Sequence, residues 1–355
     1  DNYELTTTNY EWERTQHRLE CFIVSFVIRN FLISMKILVT GAGALLGQGI
    51  MRSLNNSPLK PYIIAVDPSP LSVGLYWADE AHLVPMATRP DYIDVMRKII
   101  ATSRPDVVLI GTDVELLIFA QHRQALEQEF GTHILVSRPE VIEIADDKWK
   151  TAQYLQKHGF PFPDSCLPGD EVALVQRRGF PLIVKPRVGA RSVGVQLVHT
   201  TDQLVQAIAQ THQPVIQQHL GDDESEYTAG ALCFGEVCLS IVMRRHLRDG
   251  NTYRAFVVED AMLNQFVCQV ARSLQPDGPI NFQFRLDQGV PKIFEINARF
   301  SGTTPLRALA GFNEVEMALR YLIHGEPLLQ PQVQPVTILR YWSETVLPSD
   351  KLIKG

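Results

Sequence analysis

Several kinds of residue are scarce or unpatterned in this chain of 355 residues, and each absence removes a class of function. The five cysteines, Cys21, Cys166, Cys233, Cys238 and Cys268, form no C-x-x-C pair and have no histidine nearby at zinc spacing. The ten histidines contain no H-E-x-x-H and no cluster. A zinc centre is therefore not expected, and the cysteines read as buried thiols in a reducing cytoplasm. Positive charge is not in excess: 33 Lys and Arg stand against 39 Asp and Glu, for a net charge of -6. With a sequence pI near 5.9, the basic footprint of a nucleic-acid binder is missing, and small molecules are the expected partners. No apolar run is long enough to span a bilayer. The nearest, CFIVSFVIRNFLIS, is broken by Arg29 and covers only about 13 residues. No basic segment precedes it and no small-residue cleavage site follows, so neither a membrane span nor a secretory signal is expected. There is also no obvious Ser/His/Asp or Cys/His arrangement, which points away from a protein nucleophile.

What is present begins at Met35. Residues 1–34 are polar and then apolar, and they read as an upstream extension or a misassigned start, with an added helix or oligomer contact as the alternative. From MKILVTG onward, β-rich runs alternate with helical periodicity: KILVTG, a glycine turn into GAGALLGQGIMRSL, PYIIAVD, DYIDVMRKIIATS, DVVLIGT and VELLIFAQHRQALEQEF. This is the pattern of a parallel sheet with crossover helices, a Rossmann-like α/β domain over 35–145. Gly41, Gly43 and Gly47 form a G-x-G-x-x-x-G turn, and Asp67 ends the second strand. Alone, these residues would suggest a dinucleotide site and an NAD-dependent oxidoreductase. The same glycines also serve any tight strand-to-helix turn, and nothing downstream supplies a hydride-transfer site. Asp113 and Glu115 lie at the carboxyl edge of the third strand, where open α/β sheets bind ligands, with helix capping by Asp113 as the other reading.

Beyond residue 145 the chain changes character. ADDKWKTAQYLQKHGFPFPDS has an acidic helix start, a Gly159 stop and two prolines. GFPLIVKPRVGARSVGVQLVHT then sets Lys185 at a strand end, ahead of a loop carrying Arg187, Gly189, Arg191, Ser192 and Gly194. Glycines let backbone N–H groups approach phosphates while a lysine supplies a point charge, although the spacing is not that of a P-loop. Near the C-terminus, IFEINARFSG places Glu295 and Asn297 two residues apart on a strand, hence on one face. NFQFRLDQGVPK reads as its hairpin partner, bringing in Gln283. A carboxylate and amide oxygens suit Mg²⁺ bridging nucleotide phosphates, with Mn²⁺ able to substitute, and Arg299 could stabilise a transferring phosphoryl group. The segment IVMRRHLRDGNTYRAFVVED concentrates Arg244, Arg245, His246, Arg248 and Arg254 about an Asp249-Gly250 turn. Arg244 and Arg254, away from that turn, are the favoured candidates for gripping a phosphate or a substrate carboxylate, with a solvated hairpin face as the alternative. Ser301, Thr303 and Thr304 precede a helix whose amides could hold an anion.

Taken in order, Lys148, Lys185, the glycine loop, Gln218-His219-Leu220, Glu226, Gln283 and Glu295-x-Asn297-x-Arg299 resemble the ATP-grasp superfamily, in particular a single unit of the carbamoyl-phosphate synthase large subunit, over roughly residues 35 to 325. The resemblance implies an ATP-grasp fold of α/β and α+β parts behind a Rossmann-like pre-ATP-grasp domain. On this reading 35–145 is that domain, 146–220 a central lid and 221–355 the catalytic lobe and tail. It further implies that Lys148 and Lys185 contact nucleotide phosphates, where the carbamoyl-phosphate enzymes usually carry arginines. Gly189, Ser192 and Gly194 would close over the triphosphate. Gln218 would meet the adenine amino group where a glutamate is common, with Gln217 as the alternative register. His219 and Leu220 would lie along the base, Glu226 would hold the ribose, Gln283, Glu295 and Asn297 the metal, and Arg299 an acyl phosphate. The activity expected is that of a cytoplasmic carboxylate-amine ligase using ATP and Mg²⁺, with room for a homodimer. A non-catalytic ATP-binding regulator is the remaining alternative.

Overall fold

The computed structural model describes residues 35–189, 192–221 and 226–353. The extension 1–34, Arg191 of the glycine loop and the acidic stretch 222–225 lie outside the described residues.

The first sheet comprises β1 (Lys36–Val39), β2 (Tyr62–Asp67), β3 (Glu80–Leu83), β4 (Val107–Leu109) and β5 (His133–Leu135), all parallel in the order β3-β2-β1-β4-β5. Its inner strands β1, β2 and β4 are nearly continuous apolar runs because both faces are covered. Leu38, Ile64 and Val108 enter one buried cluster, whereas their neighbours Ile37, Val39, Ile63 and Val107 enter another. The edge strand β3 was not anticipated from the sequence. Its residues Glu-Ala-His-Leu are only half-buried and carry little apolar signal, so its place depends on pairing with β2.

A small antiparallel sheet follows: β6 (Ser165–Cys166), β7 (Leu182–Pro186), β8 (Gln196–Val198) and β9 (Pro214–Gln218), in the order β6-β9-β7-β8. The helices Glu171–Arg178 and Thr201–Gln210 contribute Leu174 and Leu204 to its core of Leu182, Val184, Val198 and Ile216. The third sheet, also antiparallel, holds β10 (Glu226–Phe234), β11 (Val237–Arg248), β12 (Asn251–Val258), β13 (Gly278–Asp287), β14 (Val290–Asn297) and β15 (Thr337–Leu339), ordered β14-β13-β10-β11-β12-β15. Its hairpins β11–β12 and β13–β14 turn through Asp249-Gly250 and Gln288-Gly289, all four with positive φ, as a two-residue turn matched to strand twist requires. The helices Pro139–Asp146 and Lys148–Lys157 both pack on β14 of the third sheet, whereas the strands of the second sheet lie within residues 165–218.

One expectation is corrected here. Cys233 and Cys238 are directly opposed across the β10–β11 hairpin and are joined as a disulfide, while Cys166 and Cys268 are buried free thiols and Cys21 lies outside the described residues. Alternation brought the two side chains to one face, which scattered sequence positions do not show. Among the described residues no helix is long and apolar enough to cross a membrane.

Candidate active site

The second and third sheets face each other across a cavity of about 320 Å³. From the second sheet, β7 delivers Lys185, 5% exposed, whose Nζ donates to Gln217 Oε1 at 2.8 Å and stands 5.3 Å from the centre of the Phe294 ring. Burial, reinforced by Lys148, pushes the Lys185 pKa down to about 7 against the pull of Glu295 and Glu226. The amine therefore gives up its proton far more readily than an ordinary lysine, and an incoming phosphate would favour its charged form. Lys148 opens its helix, which Asp147 caps by accepting from the Trp149 and Lys150 amides. Asp147 also pairs with Arg187, and Lys148 Nζ donates to the Gly189 carbonyl at 2.7 Å, so the glycine loop is fastened to the helix start. Gly194 has φ +74°, and a Cβ there would come within 3.0 Å of Pro186, where the loop doubles back on β7.

β9 presents Gln217 and Gln218 in succession. Gln217 is buried with both amide ends engaged, accepting from Lys185 and donating to Ser165 Oγ at 2.9 Å. The Gln218 side-chain oxygen accepts from the Asp164 amide at 3.4 Å. Both glutamines line the cavity, together with His219 and Leu220.

From the third sheet, Glu226, Arg245, Arg285, Gln283 and Glu295 project onto the facing surface because their strands pair Glu226 with Arg245 and Arg285, and Gln283 with Glu295. Strict registration opposite Arg245 follows from the pairing of Tyr227 with Arg244 one position along. Glu226 is buried and held on both oxygens, by Arg245 at 2.8 Å and Arg285 at 2.7 Å. Burial acts to raise its carboxyl, but the two guanidinium groups outweigh it and hold the carboxyl below its ordinary value. Arg285 also donates to the Leu220 carbonyl at 2.9 Å, and Arg245 to Gln283 Oε1 at 2.6 Å. Gln283 Nε2 and Asn297 Nδ2 converge on Glu295 Oε1 at 2.8 and 3.2 Å. Arg299 closes the row, donating to Asn297 Oδ1 at 2.9 Å and pairing with Asp113 at 2.6 Å.

Lys148, Lys185, Gly189, Ser192, Gln218, His219, Leu220, Glu226, Gln283 and Glu295 therefore line one cavity, although 147 residues separate Lys148 from Glu295 in the chain (295 − 148). Asn297 and Arg299 continue from Glu295 toward the first domain through Asp113.

Two groups of candidates lie apart from the wall of this cavity. Arg244 stacks 4.5 Å from the Phe256 ring and Arg254 is exposed over Tyr253, both absent from the cavity wall that Arg245 joins. The decisive signal was parity on the strand, not distance from the turn: side chains one apart point to opposite faces. Ser301, Thr303 and Thr304 are buried and bonded to one another and to Arg307, which in turn pairs with the fully buried Glu314 at 2.6 Å, so they do not offer an anion site. Arg285 and Phe294 were missed. Arg285 follows Gln283 by two residues on β13, and the same parity rule would have found it.

The glycine turn of the first domain is filled by the protein itself. Asp67 accepts from the Gly43 amide at 2.7 Å and from Ser72, whose Oγ would lie 2.2 Å from a Cβ at Gly43. A Cβ at Gly47 would meet the Gly41 carbonyl at 2.1 Å, so these glycines serve close packing of helix and strand. Glu115 is buried among Tyr92, Thr40 and Thr112, and burial raises its carboxyl against those hydrogen bonds.

Family models match three stretches: the PylC-like N-terminal domain over 37–135, the RimK-like ATP-grasp domain over 145–273, and the ATP-grasp in the biosynthetic pathway with Ter operon over 210–345. The chain thus carries an ATP-grasp domain over residues 145–345 behind a PylC-like N-terminal domain. It is similar to the carbamoyl phosphate synthase large chains of Methanocorpusculum labreanum, 25% identical over 76% of this chain and 28% of that one, and Methanosarcina acetivorans, 24% identical over 89% and 32%. The chain thus spans about a third of the length of these relatives. Among solved structures, the N5-carboxyaminoimidazole synthetase of Staphylococcus aureus complexed with ADP shares the fold at TM-score 0.68, with 16% identity over 85% of this ATP-grasp chain and 81% of that one. The L-amino acid ligase of Bacillus licheniformis does so at 0.64, with 17% identity over 86% and 78%. The Rossmann-like domain ahead of the grasp agrees with both comparisons.

Proposed function

We propose that this ATP-grasp chain is a ligase that uses ATP and a divalent cation to activate a carboxylate as an acyl phosphate and join it to an amine, releasing ADP and phosphate. The observation that carries the reading is the confrontation, across one cavity, of the buried Lys185 and the loop-tied Lys148 with Glu295 and its two amides.

In this reading the adenine lies toward Gln218, His219 and Leu220. Gln217 is already committed to Lys185 and Ser165, which favours Gln218 for the base. Glu226 faces the ribose, and Lys148 and Lys185 meet the phosphates beneath the glycine loop. Among the described residues no three His, Cys, Asp or Glu side chains gather as a metal site. The donor set of one carboxylate and two amides nevertheless fits a hard cation that keeps phosphate and water ligands. Gln283, Glu295 and Asn297 would hold it, and when bound it would neutralise charge on the phosphates. Arg299, paired with Asp113 at the junction with the first domain, would face the acyl phosphate, formed when a carboxylate attacks the γ-phosphorus and ADP leaves, until an amine displaces phosphate. Amino-acid or amino-sugar substrates are the preferred classes. Asp113, paired with Arg299, and Asp146, whose carboxyl is raised by burial and by Asp113, are polar groups that an amine substrate would meet beside Arg299. The L-amino acid ligase fold likeness agrees with that preference.

The test is ADP release from ATP and Mg²⁺ across a grid of carboxylates and amines, beside Glu295→Gln. A signal that depends on a particular pair and disappears in the variant is the expected result. ATP binding without turnover on any pair would favour a regulator, and no ATP binding would overturn the reading.

A further inference from the structure

The row of polar groups that runs from the cavity through Glu295 toward the first domain has its orientation dictated by chemistry. A guanidinium only donates and an ionised carboxylate only accepts. Gln283 lies between Arg245 and Glu295, and Asn297 between Arg299 and Glu295, so each amide must turn its oxygen to the arginine and its nitrogen to the carboxylate. Both nitrogens meet the same atom, Glu295 Oε1. The result is a closed relay running from Arg245 through Gln283 to Glu295, and from Arg299 through Asn297 to the same oxygen. In this state the amides aim N–H groups, which cannot ligate a cation, at the one carboxylate that could.

Resting on the ligase reading, we propose that Arg245 and Arg299 lock the cation site, so that a divalent metal is admitted only together with a phosphate anion that takes over the two guanidinium groups. For Gln283 and Asn297 to offer oxygen, each amide must turn over and its arginine must lose that acceptor. Arg245 is 7% exposed, and its remaining partners are Glu226 and Thr252, so a guanidinium released without a new acceptor would be left underpaired in a buried place. Triphosphate oxygens supply the missing acceptor. Arg245 is therefore a positioning residue that couples the metal site to the nucleotide site, and by linkage each ligand strengthens the other by the same factor.

The probe is Mn²⁺ alone, its binding followed by electron paramagnetic resonance or water-proton relaxation, with and without ADP, for the full chain, Arg245→Met and Arg285→Met. Arg285→Met removes the same charge from the same cavity while leaving the Arg245–Gln283 bond in place, and so separates the lock from plain repulsion. The natural protein is expected to bind Mn²⁺ weakly alone and much more tightly with ADP. Arg245→Met should tighten binding of Mn²⁺ alone about tenfold and shrink the ADP-dependent gain, and Arg285→Met should change it about twofold at most. Arg245→Lys, which keeps the charge but loses the planar fork, should also shrink the gain and guards against a folding defect in the methionine variant. Equal effects of Arg245→Met and Arg285→Met would overturn the lock, as would Mn²⁺ binding equally tightly with and without ADP. Loss of ADP binding in the natural protein would instead sink the nucleotide reading on which the lock rests.

Discussion

Two regions of this molecule carry nearly the same local signature, and the structure sends them to different ends. The Gly41–Gly47 turn with Asp67 and the Gly189–Gly194 loop with Lys185 both place glycines after a strand and a charge beside them. In the first, Ser72 and Asp67 fill the space in front of Gly43, and the helix is packed so close that Gly47 touches the Gly41 carbonyl. In the second, Gly189 and Ser192 border a cavity of about 320 Å³ lined by charged groups of both signs, among them Lys185, Arg245, Glu226 and Glu295. A glycine turn therefore marks close approach, and what approaches is decided by the segments that fold against it.

The comparison is tested most severely at Glu295. Glu295→Gln should cut ATP turnover at least about a hundredfold, because an amide replaces the carboxylate of the proposed cation site, while circular dichroism should show an unchanged fold. Retained turnover would detach the cavity from the chemistry. Lys185→Met should weaken ADP binding about tenfold to a hundredfold by calorimetry, since a charge-assisted phosphate contact disappears.

Lys185 also makes binding sensitive to pH. Its folded pKa near 7 lies below the ordinary lysine value of 10.5, so between those limits the unfolded chain carries a proton that the folded, ligand-free protein lacks. This group therefore makes stability rise with pH across that window. A bound phosphate favours the ammonium and reverses the shift, so ADP binding at pH 8 should take up close to one proton. Calorimetry in two buffers of different ionisation enthalpy would read that uptake, and Lys185→Met should abolish it. Equal heats for the natural protein in both buffers would contradict the assignment.

On the other side of the comparison, Gly43→Ala should lower stability by about 1–3 kcal/mol in urea, because its Cβ meets Ser72 and Asp67, yet leave ADP affinity unaltered. A change in nucleotide affinity without a stability change would mean that the first turn is a ligand site after all. The smallest effect is expected from Arg254→Ala, less than about twofold on ADP affinity, as befits an exposed side chain stacked on its own strand.

Much of this was legible beforehand, and the reasons differ by residue. The parallel sheet of the first domain showed itself as runs such as YIIAVD, because strands buried on both faces must be apolar throughout. The hairpin carrying Gln283 and Glu295 was legible from alternation and the Gln288-Gly289 turn. The strand β3 was not, because Glu-Ala-His-Leu has no periodic signal, and neither was the choice of Arg245 over Arg244, which turns on one residue of register.

By itself, then, the sequence determined the order of elements and the types of chemical group, since apolar periodicity and turn residues act over a few positions and hold wherever the chain goes. Only the tertiary structure decided which groups meet. The pairing of Glu226 with Arg245 and Arg285, the depressed Lys185 and the amides pinned between arginines and Glu295 all arise between distant segments. Hydrogen bonding and the burial of charge depend on distances of a few ångströms, and those are set when the sheets close on one another.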